Sequence, residues 1–218
     1  MLSFVPDVWL VEGRGMKSVI CVIMAVFLAL PVWAEPVVPG LFRVSGVASN
    51  DVLNIREEPT VRSPILSAYP FDARGIEVVG YNETGRWAKV GLGERNGWVA
   101  AKFLTADTSA APLGCFGAEP FWNLTIDAPD ARYEGVDTPR ITMNVVRAQS
   151  RLPDVSGVAA FDLDGIDYAM SAIIRPRQCS DGMSDRMYGW GIDLMIHRAA
   201  TPTDGPTHLA GCCTLQGR

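Results

Sequence analysis

Hydrophobic positions in this chain fall into two kinds of pattern. Near the N-terminus, Met16-Lys17 precedes an unbroken apolar run over residues 19–30. Everywhere else the apolar residues come in short β-branched and aromatic runs, bounded by turn chemistry. In the first half these runs cover 41–47, 52–55, 65–68, 76–81, 87–90 and 98–101. They are separated by Ser49-Asn50-Asp51, Glu58-Pro59, Phe71-Asp72, Glu83-Thr84-Gly85-Arg86 and Arg95-Asn96-Gly97. No 3.6-residue period persists long enough to compete, so the pattern predicts a small barrel or sandwich.

The second half repeats the pattern over 122–126, 141–146, 157–163, 166–174, 190–196 and 208–213, which predicts a second antiparallel, barrel-like β domain. Its clearest hairpin turns at Asp164-Gly165, a favoured two-residue turn, and would place Ile166, Tyr168, Met170, Ala172 and Ile174 on one face. Asp162, Asp164 and Asp167 give that turn a calcium-loop look. The EF-hand order with its closing bidentate Glu is absent, and the hairpin explains the Asp-Gly pair without a metal. Between the halves, residues 105–112 are small and polar and end in Pro, as a linker does. The expected organisation is all-β, with a first domain at 41–104 and a second at 113–218.

The apolar run at 19–30, followed by Pro31-Val32-Trp33-Ala34-Glu35, has the order of a secretory signal, with small residues before a cut after Ala34. Met16 is then the expected start, and 1–34 the signal segment. A spanning helix needs about 20 apolar residues, more than this run supplies. Cys21 follows Ile20 inside the run and does not fit the site of a lipid anchor. The net charge is −5 and stays so on cleavage, because Asp7 and Glu12 leave together with Arg14 and Lys17. That balance offers no footprint for nucleic acid and no basic cluster for anionic lipid. The location expected is periplasmic or secreted, with no membrane span after cleavage.

Cysteine usage fits an oxidising compartment, since Cys115, Cys179, Cys212 and Cys213 remain after cleavage. Adjacent strand residues point to opposite faces, so Cys212 and Cys213 are expected to reach different partners among Cys115 and Cys179, not each other. Both patterns stay open; Cys115 with Cys213 and Cys179 with Cys212 is the first choice. No C-x-x-C spacing is present, and His197 and His208 lack a paired spacing, so no zinc or other metal site is expected.

Leu53-Asn54-Ile55-Arg56, Trp87-Ala88-Lys89-Val90 and Gly97-Trp98-Val99, in that order, resemble the bacterial SH3-like family known as SH3b, over nearly all of 41–104. The resemblance implies a binding or targeting module of the cell envelope, in some members for peptidoglycan peptides. Trp87 and Trp98 each read either as a core or rim aromatic of a small barrel or as an apolar shelf for a ligand. The first is the choice for Trp87 and both stay open for Trp98, with Tyr69, Tyr81 and Arg86 as a candidate polar edge. The segment Gly114-Cys115-Phe116-Gly117-Ala118-Glu119-Pro120-Phe121-Trp122, the run from Cys179 to Tyr188, and Gly211-Cys212-Cys213 resemble a poorly characterised family of bacterial exported proteins and lipoproteins. Its hallmark is a C-x-G-x-E-P-F-W segment. Ala118 replaces the usual Thr and the lipid anchor is missing, so membrane attachment does not carry over.

Glu119, beside apolar Pro-Phe-Trp, is expected to be a partly buried carboxylate partnered by Arg186 or Tyr188. With Trp122, Asp181 and Asp185 it could border a pocket, where paired carboxylates would permit acid/base work. No nucleophile with a base, oxyanion loop, phosphate cradle or cofactor motif accompanies them. The function expected is therefore an exported envelope binding or scaffold protein, gripping a wall peptide or an envelope protein. The alternative is an envelope hydrolase acting through Glu119, Asp181 and Asp185.

Overall fold

The computed structural model describes residues 38–109, 111–149, 157–199 and 205–215, and they are almost entirely β. The segment expected to be a signal, residues 1–34, lies outside the described residues. Among the described residues no helix is long and apolar enough to cross a membrane.

The first seven strands are β1 (Gly40–Val44), β2 (Val52–Arg56), β3 (Ile65–Pro70), β4 (Ile76–Tyr81), β5 (Trp87–Leu92), β6 (Arg95–Ala100) and β7 (Leu104–Ala106). They form one antiparallel sheet in the order β3-β2-β6-β5-β4-β1-β7. Period-2 alternation turns Phe42, Leu53, Ile55, Val78, Val90 and Val99 to one buried face. A side chain at Gly97 would lie 2.4 Å from Ile55 Cγ2, so this glycine lets β2 lie close over β6. The sheet is open and ends on two edge strands, β3 and β7, where the sequence pattern allowed either a small barrel or a sandwich. Strand β7 is drawn from the start of the segment expected to be a linker, with Thr105 opposite Arg43. Just beyond it, the Asp107 carboxylate accepts the Gly75 N–H (3.2 Å) and the Ser109 hydroxyl (2.7 Å), which pins the segment beside the turn into β4.

The remaining strands are β8 (Leu113–Ala118), β9 (Phe121–Asp127), β10 (Asp130–Gly135), β11 (Thr138–Ala148), β12 (Ala159–Asp164), β13 (Tyr168–Ser180), β14 (Met187–Arg198) and β15 (Thr207–Thr214). They run as an up-and-down series that closes where β15 pairs with β8, giving an eight-stranded barrel. At this size side chains fill the interior, here Trp122, Leu124, Met143, Leu163, Ile174 and Trp190. The Asp164-Gly165 turn is not formed. Gly165 N–H instead bonds the Tyr168 carbonyl (2.9 Å), and Ile166, expected to share a face with Tyr168, Met170, Ala172 and Ile174, stands fully exposed at the tip. The physical reason is that Gly165 supplies close packing rather than a positive φ: a side chain there would meet Met143 Cγ at 3.2 Å. Asp162 is held by Arg147 (3.1 Å) and the Ser171 hydroxyl (3.0 Å).

Two disulfides tie the barrel, Cys115–Cys213 and Cys179–Cys212. The pairing follows from alternation along β15. Cys213 points into the core, directly opposite Cys115, while Cys212 points outward and joins Phe116, Tyr188 and Cys179 in a separate cluster.

Residues 38 to 215 belong to one compact unit, and several contacts join sheet to barrel. Leu41, from the outer face of β1, packs with the barrel core. Asn96, next to the β5–β6 turn, acts as a surrogate peptide group: its amide donates to the Met187 carbonyl (3.1 Å) and accepts the Met187 N–H (2.7 Å). Gly189 admits Pro39, whose Cβ would lie 2.4 Å from any side chain there.

Candidate functional site

Strands β5 and β6 form a hairpin whose register sets Lys89 opposite Trp98 and Gly91 opposite Asn96. Ala88, Val90 and Val99 are fully buried on the inner face, so Trp87, Lys89 and Trp98 share the outer one and are half-buried there. Lys89 Nζ lies 5.0 Å from the centroid of the Trp98 ring, within cation–π range. On the other side Trp98 pairs with Arg56, whose guanidinium is fixed by donating to the Ser63 carbonyl (2.7 Å). The result is an indole with Lys89 over its ring and Arg56 as its cross-strand neighbour.

The expected polar edge for Trp98 does not assemble. Tyr69 lies opposite Leu53, Tyr81 lies opposite Ala88, and both pack half-buried against the inner core. Strand parity therefore places them on the face away from Trp98. Burial pushes the Tyr69 phenol above its ordinary pKa, with the Arg186 charge opposing. Arg86 is exposed in the β4–β5 turn.

At the other end of the same hairpin, Arg186 fills the space above Gly91, where a Cβ would lie 2.5 Å from its guanidinium. That guanidinium stacks 4.8 Å over Tyr188, and Nη1 reaches the Gly93 carbonyl at 3.4 Å. Tyr188 is 4 % exposed and meets Phe116 edge-on at 4.9 Å. Open clefts border this contact, one of about 410 Å³ lined by Glu94, Asp181, Met183 and Arg186, and one of about 450 Å³ that includes Glu94 and Asp185. Asp181 Oδ1 is committed to the loop, accepting the N–H groups of Met183 (3.1 Å) and Ser184 (2.9 Å).

Glu119 departs from its expectation. It is exposed in the β8–β9 turn, and Arg186 is engaged with Tyr188 and Gly93 instead. The turn carries Glu119 outward, while the apolar neighbour that sequence placed beside it, Trp122, goes into the barrel at 2 % exposure and stacks on Tyr133. A Cβ at Gly117 would lie 2.2 Å from the Trp122 indole nitrogen, so that glycine makes room for the ring. Trp122 is enclosed in the barrel, while Tyr188, though largely buried, borders the cleft of about 410 Å³.

The buried carboxylate belongs elsewhere. Glu77 on β4 is 1 % exposed, accepts the Thr214 hydroxyl, and accepts the Leu215 N–H at 3.0 Å. Burial pushes its pKa up, opposed by those two hydrogen bonds, the Arg186 charge and the Trp190 indole. The indole N–H lies outside good hydrogen-bond geometry, so its influence is that of a nearby dipole. An acid inside the apolar run Ile76-Glu77-Val78-Val79 was the signal that would have found it. Lys89 needed the β5–β6 register to be recognised. No protein-family model and no curated protein matches this chain.

Proposed function

We propose that this protein is a binding or scaffold protein of the bacterial cell envelope, exported with its signal segment removed. In this reading its SH3b-like sheet captures a peptide bearing carboxylates, such as a peptidoglycan peptide or an exposed segment of an envelope protein. The observation that carries it is Lys89 laid over half-exposed Trp98 beside Arg56, on strands whose cores are complete without them. An indole offers flat apolar area at low entropic cost, and adjacent cations match carboxylates. Both disulfides accord with an extracytoplasmic location. The hydrolase alternative has less support: Asp181 and Asp185 border neighbouring clefts with Glu94, but Glu119 lines neither.

The test is co-sedimentation of the full disulfide-bonded chain with purified peptidoglycan, compared with Trp98→Ala and Lys89→Ala. Each variant is expected to lose at least five-fold in affinity with an unchanged circular dichroism spectrum. Retention of wild-type binding by both, or no binding by the parent, overturns the assignment to peptidoglycan.

A further inference from the structure

The C-F-G-A-E-P-F-W segment builds the β8–β9 hairpin, and the outward face of that hairpin is one wall of a groove that the peptide-binding reading leaves unused. The groove, about 330 Å³, is floored by Gly114 and Phe116 and walled by Asn123, Thr125, Arg132 and Glu134, with Arg140 at its rim. Register sets the spacing: Gly114, Thr125 and Arg132 form one cross-strand row, and Phe116, Asn123 and Glu134 form the next. These rows sit on the wall of a closed barrel, so their backbone positions are fixed.

We infer that this groove is a binding site for a carboxylate-bearing sugar. Its lining is polar and no exposed aromatic faces it, which disfavours the apolar ligands that most pockets of this size take. Two guanidinium groups stand against one carboxylate, so the site is net positive and selects an anion. Arg140 directs Nε (3.1 Å) and Nη2 (2.9 Å) to a single oxygen, Glu134 Oε2, which leaves Glu134 Oε1 as an acceptor. Among the described residues the side chains of Asn123, Thr125 and Arg132 make no hydrogen bond. Their inventory fits such a ligand group by group. The planar fork of Arg132 can hold a carboxylate through two N–H donors. The Asn123 amide and Thr125 hydroxyl each donate and accept, and Glu134 Oε1 accepts, as ring hydroxyls require. A bare phosphate would use the arginines but would meet Glu134 as a repulsive neighbour.

The experiment is a ¹H–¹⁵N titration of the full disulfide-bonded chain with glucuronate, glucose and inorganic phosphate at matched ionic strength. Glucuronate is expected to give saturable shifts at Asn123, Thr125 and Arg132, with at least ten-fold weaker response to glucose and to phosphate. Arg132→Gln, a change on an exposed side chain, is expected to weaken glucuronate binding at least ten-fold, while Trp98→Ala leaves it unchanged. No saturable response to glucuronate, an equal response to glucose or phosphate, or full binding by Arg132→Gln overturns the site. Because the groove and the Trp98 face lie on different strands, failure here leaves the peptide-binding reading standing, and the reverse holds.

Discussion

At the scale of single residues, Glu77 is a buried side chain that ties the sheet to the end of the barrel's last strand. Its carboxylate satisfies the Thr214 hydroxyl and the Leu215 N–H at the end of the last strand, in a place water does not reach. Glu77→Ala leaves that buried N–H without an acceptor and is expected to cost about 3 kcal/mol in urea unfolding. Glu77→Gln keeps one acceptor and removes the charge, so it should cost far less. The sign of the pH effect follows from the raised pKa. The folded protein holds the Glu77 proton to higher pH than the unfolded chain does, so this contribution is complete below the ordinary value of 4.5 and is lost as pH rises through the folded value. Asp107 has the opposite sign: the Ser109 hydrogen bond chiefly lowers its pKa, so its contribution is present above 3.8 and lost as pH falls through the folded value. Urea midpoints measured from pH 4 to 8 should therefore decline less steeply in Glu77→Gln than in the parent. Parallel pH profiles would remove Glu77 from the account. An exposed acid such as Glu119 should behave otherwise, and Glu119→Ala is expected within about 0.5 kcal/mol of the parent.

At the scale of elements, β15 carries both disulfides, one to each of its faces. Cys115–Cys213 spans 98 residues and is buried in the core; Cys179–Cys212 spans 33 and leaves Cys179 half-exposed. Chain entropy assigns them about 5 and about 4 kcal/mol. Access separates them more than loop length does. Mild dithiol treatment followed by peptide mapping should open Cys179–Cys212 first, and simultaneous loss of both, or the reverse order, would contradict this burial argument. Period-2 alternation made most strands of this kind readable in the sequence, and alternation at Cys212-Cys213 excluded a bond between the two, whereas the choice between the remaining pairings needed the inner and outer faces of β15. Strand β10 was not readable, because its inward residues are only Ala131 and Tyr133 among four polar or flexible positions. Strand β8 is composed largely of small residues, which carry little apolar signal. The site was legible in part. Trp98 proves to face outward, a position the sequence left open, whereas Tyr69 and Tyr81 were assigned to its edge without the register that sends them inward.

At the scale of the whole molecule, two β modules that read as separate in sequence are joined by groups that neither module can satisfy alone. Leu41 leaves the sheet's outer face for the barrel core, Glu77 takes its donors from the chain's end, and Asn96 completes the backbone of Met187. A sheet cut away from the barrel would expose Leu41 to water, and the barrel would keep a buried Leu215 N–H without its acceptor. Such a junction couples the stabilities of its halves, because opening it costs desolvation on both sides. The oxidised chain is therefore expected to unfold in one cooperative transition. Amides in the sheet core, such as Val78 and Val90, should share a urea midpoint with those in the barrel core, such as Leu124 and Ile192, when followed residue by residue by NMR. Asn96→Ala, which removes both hydrogen bonds to Met187, should lower the two midpoints together rather than that of the sheet alone. Two well-separated transitions in the parent chain would show instead that sheet and barrel fold independently and that the junction contacts contribute little to either.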